Sequence, residues 1–361
     1  MKKVIYILIL SLCIISCKEI SKKKNKDVSS DKISNQKSQI IQVAEFKGQQ
    51  VTGVTVSSTG RIFVNFPRWR KNVNNSVVEV TDNQHHKVFP NSEWNSWETG
   101  NPVNDQKFIG VQSVVAFEDK LYVLDTRNPL FGDVLDAPRI FVFNLNTNAL
   151  ERTYIVSKES YHSNSYINDL RVDKKHNKIY CTDSGRPGLV VLDLSSGKSK
   201  RVLDNHYSTK AEQSYLSFNN TKWNNTVHSD GIALDTKNDK LYYHSLTGYS
   251  LYSISTKILE KANNEEVEKA VTLAAKTSAP DGMIFDKSGN LYFADLENNK
   301  IMYRKPDGSI YTLAQGVKVK WADTFSIYDN YLYYTNSRIN EVGNDISDMT
   351  FTLNRVELPN K

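Results

Sequence analysis

Six polar residues stand at matching places in six short segments of the chain: Thr52, Gln112, Asn168, Asp230, Asp281 and Asp323. Each lies at the head of an apolar alternating run, which is followed by a turn and a second, apolar-aromatic run. Three of the six are carboxylates. If the fold gathers them, like charges crowd together and at least one carboxyl is driven toward its protonated form unless a cation joins them. Two kinds of cation fit. Oxygen atoms from Asn168, Asp230 and Asp281, with Asp323 beside them, suit Ca²⁺ or another hard divalent ion. An organic amine takes one or two carboxylates plus aromatic walls for cation–π contact. In a third reading each Asp accepts backbone N–H groups at a strand start, as Asp-Gly turn chemistry allows.

The other chemistry-bearing residues are fewer. His228, two residues before Asp230, and His162, in the polar run Ser160-Tyr161-His162-Ser163, are acid–base candidates or surface loop residues. His85-His86 is a turn pair with no third ligand at zinc-like spacing. Arg68 and Trp69 follow a strand, where they either gate a channel or pack beside Pro67. Cys181, within the run Lys178-Ile179-Tyr180-Cys181-Thr182, reads as a buried small hydrophobe rather than a nucleophile. A Gly-rich phosphate loop, a Gly-x-Ser-x-Gly elbow and a helical His pair are all missing from the sequence, which excludes the usual nucleotide enzymes and serine hydrolases.

The elements that must position these residues are strands. The second runs begin Ile62, Leu121, Ile179, Leu241, Leu291 and Leu332, at intervals of 59, 58, 62, 50 and 41 residues. Further strand pairs fall between them, among them Arg139-Ile140-Phe141-Val142-Phe143 and Leu189-Val190-Val191-Leu192-Asp193. One repeat therefore makes one four-stranded blade, and six repeats predict an all-β, six-bladed β-propeller whose radial closure leaves only short sheet edges. In a propeller the inner strands surround one axial channel, so the six polar residues converge there. One helical stretch, near Asn264 to Ala275, with Glu265 and Lys269 at i,i+4, reads as an insertion between blades four and five.

Composition agrees with a large β core. Of 361 residues, 39% are hydrophobic and 11% aromatic, which excludes global disorder. The net charge of +6 is local: residues 1–39 hold nine Lys against three acids, and the remaining 37 basic and 37 acidic residues cancel. A neutral body argues against a nucleic-acid partner. Residues 1–16 read as a signal peptide, with Lys2 and Lys3 ahead of the apolar run Val4 to Ile15. The run Ile14-Ile15-Ser16-Cys17 matches the bacterial lipobox, which makes Cys17 the lipidated first residue of the mature protein; an ordinary cleaved signal is the alternative. Residues 17–39 then form a basic tether and residues 40–361 the propeller. With Cys13 lost and Cys17 acylated, Cys181 stands alone and no disulfide is available. The expected protein is a monomer on the periplasmic or extracellular face of a bacterial cell envelope, with the membrane as partner through its anchor.

The run Phe63-Val64-Asn65-Phe66-Pro67-Arg68-Trp69-Arg70 resembles the opening motif of the yellow and major royal jelly protein family. So do Leu121 to Thr126, Tyr180 to Gly185, Asp230 to Leu234 and Trp321 to Phe325, in the same order. The resemblance covers roughly residues 43 to 357 and implies a six-bladed propeller that binds a small amine, catechol or indole-like ligand in its channel, with some relatives linked to dopachrome conversion. A more distant likeness joins Asn168-Asp169 and Pro280-Asp281-Gly282-Met283 to the gluconolactonase-like propellers, which implies a divalent metal. Those sites use a Glu from blade one and an Asn from blade four, where this sequence carries Thr52 and Asp230. Ligand binding leads these expectations, with a metal-dependent lactonase-like hydrolase or a dopachrome-type tautomerase as alternatives.

Overall fold

In the computed structural model, which describes residues 32–33, 39–260 and 263–359, the repeats fold as six four-stranded antiparallel sheets. The expected signal peptide, Cys17 and most of the expected tether lie outside the described residues. Blade two is typical: Val111–Phe117, Lys120–Asp125, Arg139–Asn144 and Leu150–Ile155 succeed one another from the axis outward. Middle strands are covered on both faces by neighbouring blades, and their sequences are apolar without alternation. Leu121 to Asp125 and Gly188 to Leu192 are buried throughout for this reason. The core is correspondingly divided. Six apolar clusters fill the six junctions between blades, one of them made by Phe63, Phe89, Phe108, Phe141 and Phe143 between blades one and two.

Closure of the ring joins the two ends of the propeller. Blade six takes three strands from the C-terminal repeat, Ala322–Tyr328, Tyr331–Asn336 and Thr350–Glu357, and its outermost strand, Ile40–Lys47, from the N-terminal side. Ala44 faces Leu353 and Phe46 faces Phe351 across this pairing. Phe46 also meets Phe66 of blade one edge-on at 5.2 Å. Lys32–Ile33 add two residues in parallel to the outer edge of blade five.

Two connections differ from the sequence expectation. The helical stretch is confined to Asn264–Lys269, with a preceding turn at Thr256–Leu259, and sits inside blade four rather than between blades. Residues Thr272–Lys276 are the outer strand of that blade, because pairing with Ser250–Ser255 outweighs weak helical periodicity in so short a segment. The connection from blade three to blade four contains a separate hairpin, Leu216–Phe218 and Thr221–Trp223, which packs onto the junction of blades five and six.

Candidate functional site

The inner strands are irregular at the positions that matter. Their pairing to the second strands is interrupted between Val111 and Ser113, Ile167 and Leu170, Ser229 and Ile232, and Ala322 and Phe325. Gln112, Asn168, Asp230 and Asp323 fall inside these four bulges. A bulge leaves a residue out of the ladder and re-aims its side chain; here all four side chains line one cavity, of about 510 Å³. Asp281, just ahead of the shortened inner strand of blade five, lines it too. Thr52 does not. It is buried beside the axis, where its hydroxyl accepts from Asn65 Nδ2 at 3.2 Å.

Glycine brings the carboxyls together. A Cβ on Gly231 would stand 2.8 Å from the Asp281 carbonyl oxygen, and one on Gly282 would stand 2.8 Å from that of Asp323. The Asp-Gly pairs therefore mark close approach of successive inner strands, not turns. The side chains of Asp230 and Asp281 accordingly bond to other side chains rather than to backbone amides. Trp321 Nε1 donates to Asp281 Oδ2 at 2.7 Å, and Asp281 and Asn168 are both within hydrogen-bond reach of Asp230. Gln112 Nε2 donates to Asn168 Oδ1 at 2.7 Å, and Tyr166 donates to Gln112 Oε1 at 2.7 Å while receiving Trp69 Nε1–H. The donors converge on Asp230 from two sides, through Trp69, Tyr166, Gln112 and Asn168 on one and through Trp321 and Asp281 on the other.

Electrostatics follow from burial. Asp230 and Asp323 are almost fully withdrawn from water, at 5% and 7% exposure. Desolvation, and then the Asp323 charge, push the carboxyls of Asp230 and Asp281 well above the usual range. Desolvation raises Asp323 to about 7. Near neutrality the floor of the cavity therefore holds shared protons rather than three full charges.

The walls are aromatic. Trp69 stacks on Phe131 at 5.3 Å, and Phe131 stacks in turn on Tyr166 at 5.9 Å. Opposite them Trp223, from the extra hairpin, meets Trp321 edge-on at 4.9 Å. Two of these rings ride on strained backbone: Phe131 (φ 55) and Trp321 (φ 56) hold left-handed conformations that side chains avoid. Tyr166 is set by Asp183, whose Oδ1 accepts the Tyr166 N–H at 2.8 Å and whose Oδ2 takes Arg201 at 2.9 Å.

The remaining candidates lie elsewhere. Arg68 is buried, donates to the carbonyls of Ile109 and Val73, and lies over the Trp97 ring at 5.4 Å, so it packs and only Trp69 reaches the cavity. His162 pairs with Asp204 at 3.1 Å, and His228 Nδ1 accepts from the Ala211 N–H at 3.0 Å; neither lines the cavity. His85 bonds Asp82 in an exposed turn. Cys181 is fully buried and its thiol is pushed up by desolvation, as suits an inert core residue. The sequence reading missed Tyr166, Phe131, Trp223 and Arg70 as lining residues; the long, aromatic connection between residues 205 and 228 was the one available signal for Trp223.

Among the described residues no group of three or more His, Cys, Asp or Glu side chains is arranged to hold a metal ion. Within the expected metal set of Asn168, Asp230 and Asp281, the Asn168 oxygen accepts from Gln112 and its nitrogen faces Asp230.

The sequence pattern of the major royal jelly proteins matches residues 111–356, more than half of the chain. The chain belongs to the major royal jelly protein family. Two honeybee (Apis mellifera) relatives are similar to it: major royal jelly protein 5, 24% identical over 261 residues (67% of this chain, 42% of the relative), and major royal jelly protein 6, 23% identical over 194 residues (51% and 44%). The match spans less than half the length of either relative. Among solved structures, a luciferin-regenerating enzyme shares the fold at a TM-score of 0.56 and 13% identity, covering 89% of this chain and 95% of that one. A gluconolactonase from Xanthomonas campestris does so at 0.54 and 11%, covering 89% and 90%. At such identities the likeness concerns fold alone.

Proposed function

We propose that this protein binds a small amine, catechol or indole-like molecule in its axial cavity. The observation that carries the reading is the combination of three carboxyls on the floor, Asp230 and Asp323 buried and Asp281 partly so, with stacked aromatic rings on the walls. The oxygens of Asp230 and Asp281 that do not carry the shared proton can accept a phenolic O–H or an ammonium N–H, and ring faces add cation–π and stacking contact worth about 0.5–2 kcal/mol each. A volume of about 510 Å³ falls within the range of small-molecule sites. This donor set suits an organic cation better than a divalent ion, because Asn168 turns its N–H rather than its oxygen toward Asp230 and the first-blade position offers a hydroxyl, Thr52, away from the cavity. The metal-dependent lactonase reading is weakened accordingly. A tautomerase stays open as the second reading, since a carboxyl pair sharing one proton can give and take protons at neutral pH.

Thermal melting with dopamine, tryptamine, Ca²⁺ and EDTA tests this. A ligand at a hundred times its Kd adds about 2.7 kcal/mol to stability. Dopamine or tryptamine should raise the melting temperature of the wild type and leave Asp281→Asn unmoved, Asn being able to keep the bond from Trp321. Stabilisation by Ca²⁺, reversed by EDTA, with no response to amines would instead favour the metal-dependent hydrolase. We further propose that the protein acts as a monomer held at the cell envelope through a lipid on Cys17.

A further inference from the structure

The charges lining the cavity are unevenly placed. Asp230, Asp281 and Asp323 form the floor, Asp133 is exposed to solvent at the rim, and the one cation among the described lining residues is Arg70. Arg70 is half-buried and has no carboxylate partner among the described residues. Its Nη1 donates to Gln50 Oε1 at 2.6 Å, and its Nε and Nη2 donate to the Gly343 carbonyl at 3.1 and 3.0 Å. Most other arginines drawn out of water near blades one to three are paired with acids: Arg61 with Glu79, Arg127 and Arg139 with Asp136, Arg171 with Asp169, and Arg201 with Asp183. Arg68 and Arg186 also lack an acid among the described residues, but neither lines the cavity, whereas Arg70 does.

Three neutral bonds fix the Arg70 side chain and leave one N–H free on each terminal nitrogen, the number a carboxylate takes in a two-point pair. Gln50, itself 5% exposed, is anchored by its own bond to the Ser337 carbonyl at 2.8 Å, so the guanidinium is preorganised. Partial burial without a counter-ion lowers its hold on its proton, a penalty that an arriving anion removes. A second polar atom at the same cavity calls for a donor: Asn128, 4% exposed and a lining residue, has a buried Oδ1 with no hydrogen-bond donor among the described residues, a place for a ligand N–H beside its acid rather than for the acid itself.

We infer that Arg70 recognises a carboxylate, so that the ligand is an aromatic acid or amino acid whose ring lies between the aromatic walls, rather than the decarboxylated amine. This rests on the ligand-binding reading above and narrows its substrate class. The polarity is complementary: ring hydroxyl or N–H groups meet the carboxyl floor, and the acid meets Arg70 beside Trp69.

The test is titration calorimetry of the protein with two matched pairs, dopamine against 3,4-dihydroxyphenylalanine and tryptamine against tryptophan. In at least one pair the carboxylate-bearing member should bind the wild type at least tenfold more tightly. Arg70→Gln should reduce that member to the affinity of its amine and leave the amine unchanged, and Arg70→Lys should keep part of the preference. Equal binding within both pairs, or a preference that survives Arg70→Gln, overturns the inference while leaving ligand binding intact. If no member of either pair binds the wild type, the ligand-binding reading falls and this inference falls with it. Should Arg70→Gln melt early through loss of its Gly343 contact, the wild-type comparison and Arg70→Lys still decide.

Discussion

Replacing Asp323 by Asn should make the propeller's stability less sensitive to pH in one defined window. The Asp323 carboxyl is raised to about 7 by burial, against about 4 in the unfolded chain. Between those two values the folded protein holds a proton that the unfolded chain has released. Stability from this group is therefore complete below pH 4 and is lost as the pH rises through 7. At 1.36 kcal/mol per pH unit the loss amounts to about 4 kcal/mol, an upper bound given relaxation around the site. Asn reproduces the shape and neutrality of the protonated acid and can still accept from Thr324 Oγ1, which lies at 3.2 Å in the wild type. Wild type and variant should then match near pH 4. At pH 8 the Asp323→Asn variant should be the more stable by up to that amount, a melting difference on the order of 5 °C. The difference between the two proteins must be read, not the wild-type curve alone. His244, buried and lowered to about 4, acts oppositely: its contribution is lost as the pH falls from about 6.5 to 4. Melting followed by circular dichroism at half-unit steps from pH 4 to 8 supplies the measurement. A wild-type-minus-variant difference that does not change with pH would refute the argument that Asp323 is a dry, proton-holding group.

Two other consequences are open to direct measurement. Gly282→Ala drives a methyl to 2.8 Å from the Asp323 carbonyl oxygen and should destabilise the fold by about 1–3 kcal/mol in urea unfolding, with loss of ligand response; an unchanged midpoint would mean the inner strands are not pinned together. Cys17→Ala should move the protein from the membrane to the soluble fraction of the producing cell and abolish palmitate labelling, and retention in the membrane would remove the lipid-anchor proposal.

The blade count was legible in the sequence because each repeat carries its own local signals, an alternating inner strand, a turn and an apolar-aromatic second strand. The convergence of Gln112, Asn168, Asp230, Asp281 and Asp323 on one cavity was legible for the same reason, since equal positions in equal repeats meet at the axis. Thr52 departs from this because Asn65 Nδ2 holds its hydroxyl beside the axis rather than toward the cavity. The helix was misplaced because six residues carry too little periodicity to compete with a strand pairing already offered by blade four. Closure of the ring by Ile40–Lys47 left no local mark, as its partner strand lies some three hundred residues away.

What the sequence by itself determined is thus everything that repeats: the strands, their number and the chemical types that reach the axis. Only the tertiary structure decided how those groups act on one another. Bulges aim the side chains, Gly231 and Gly282 let the carboxyls close up, and Trp321 and the hairpin around Trp223 build a wall from different parts of the chain. The reason is physical. Residue identity is local, whereas desolvation, proton sharing and the lack of a counter-ion at Arg70 depend on what stands a few ångströms away in space, and no spacing along the chain records that distance.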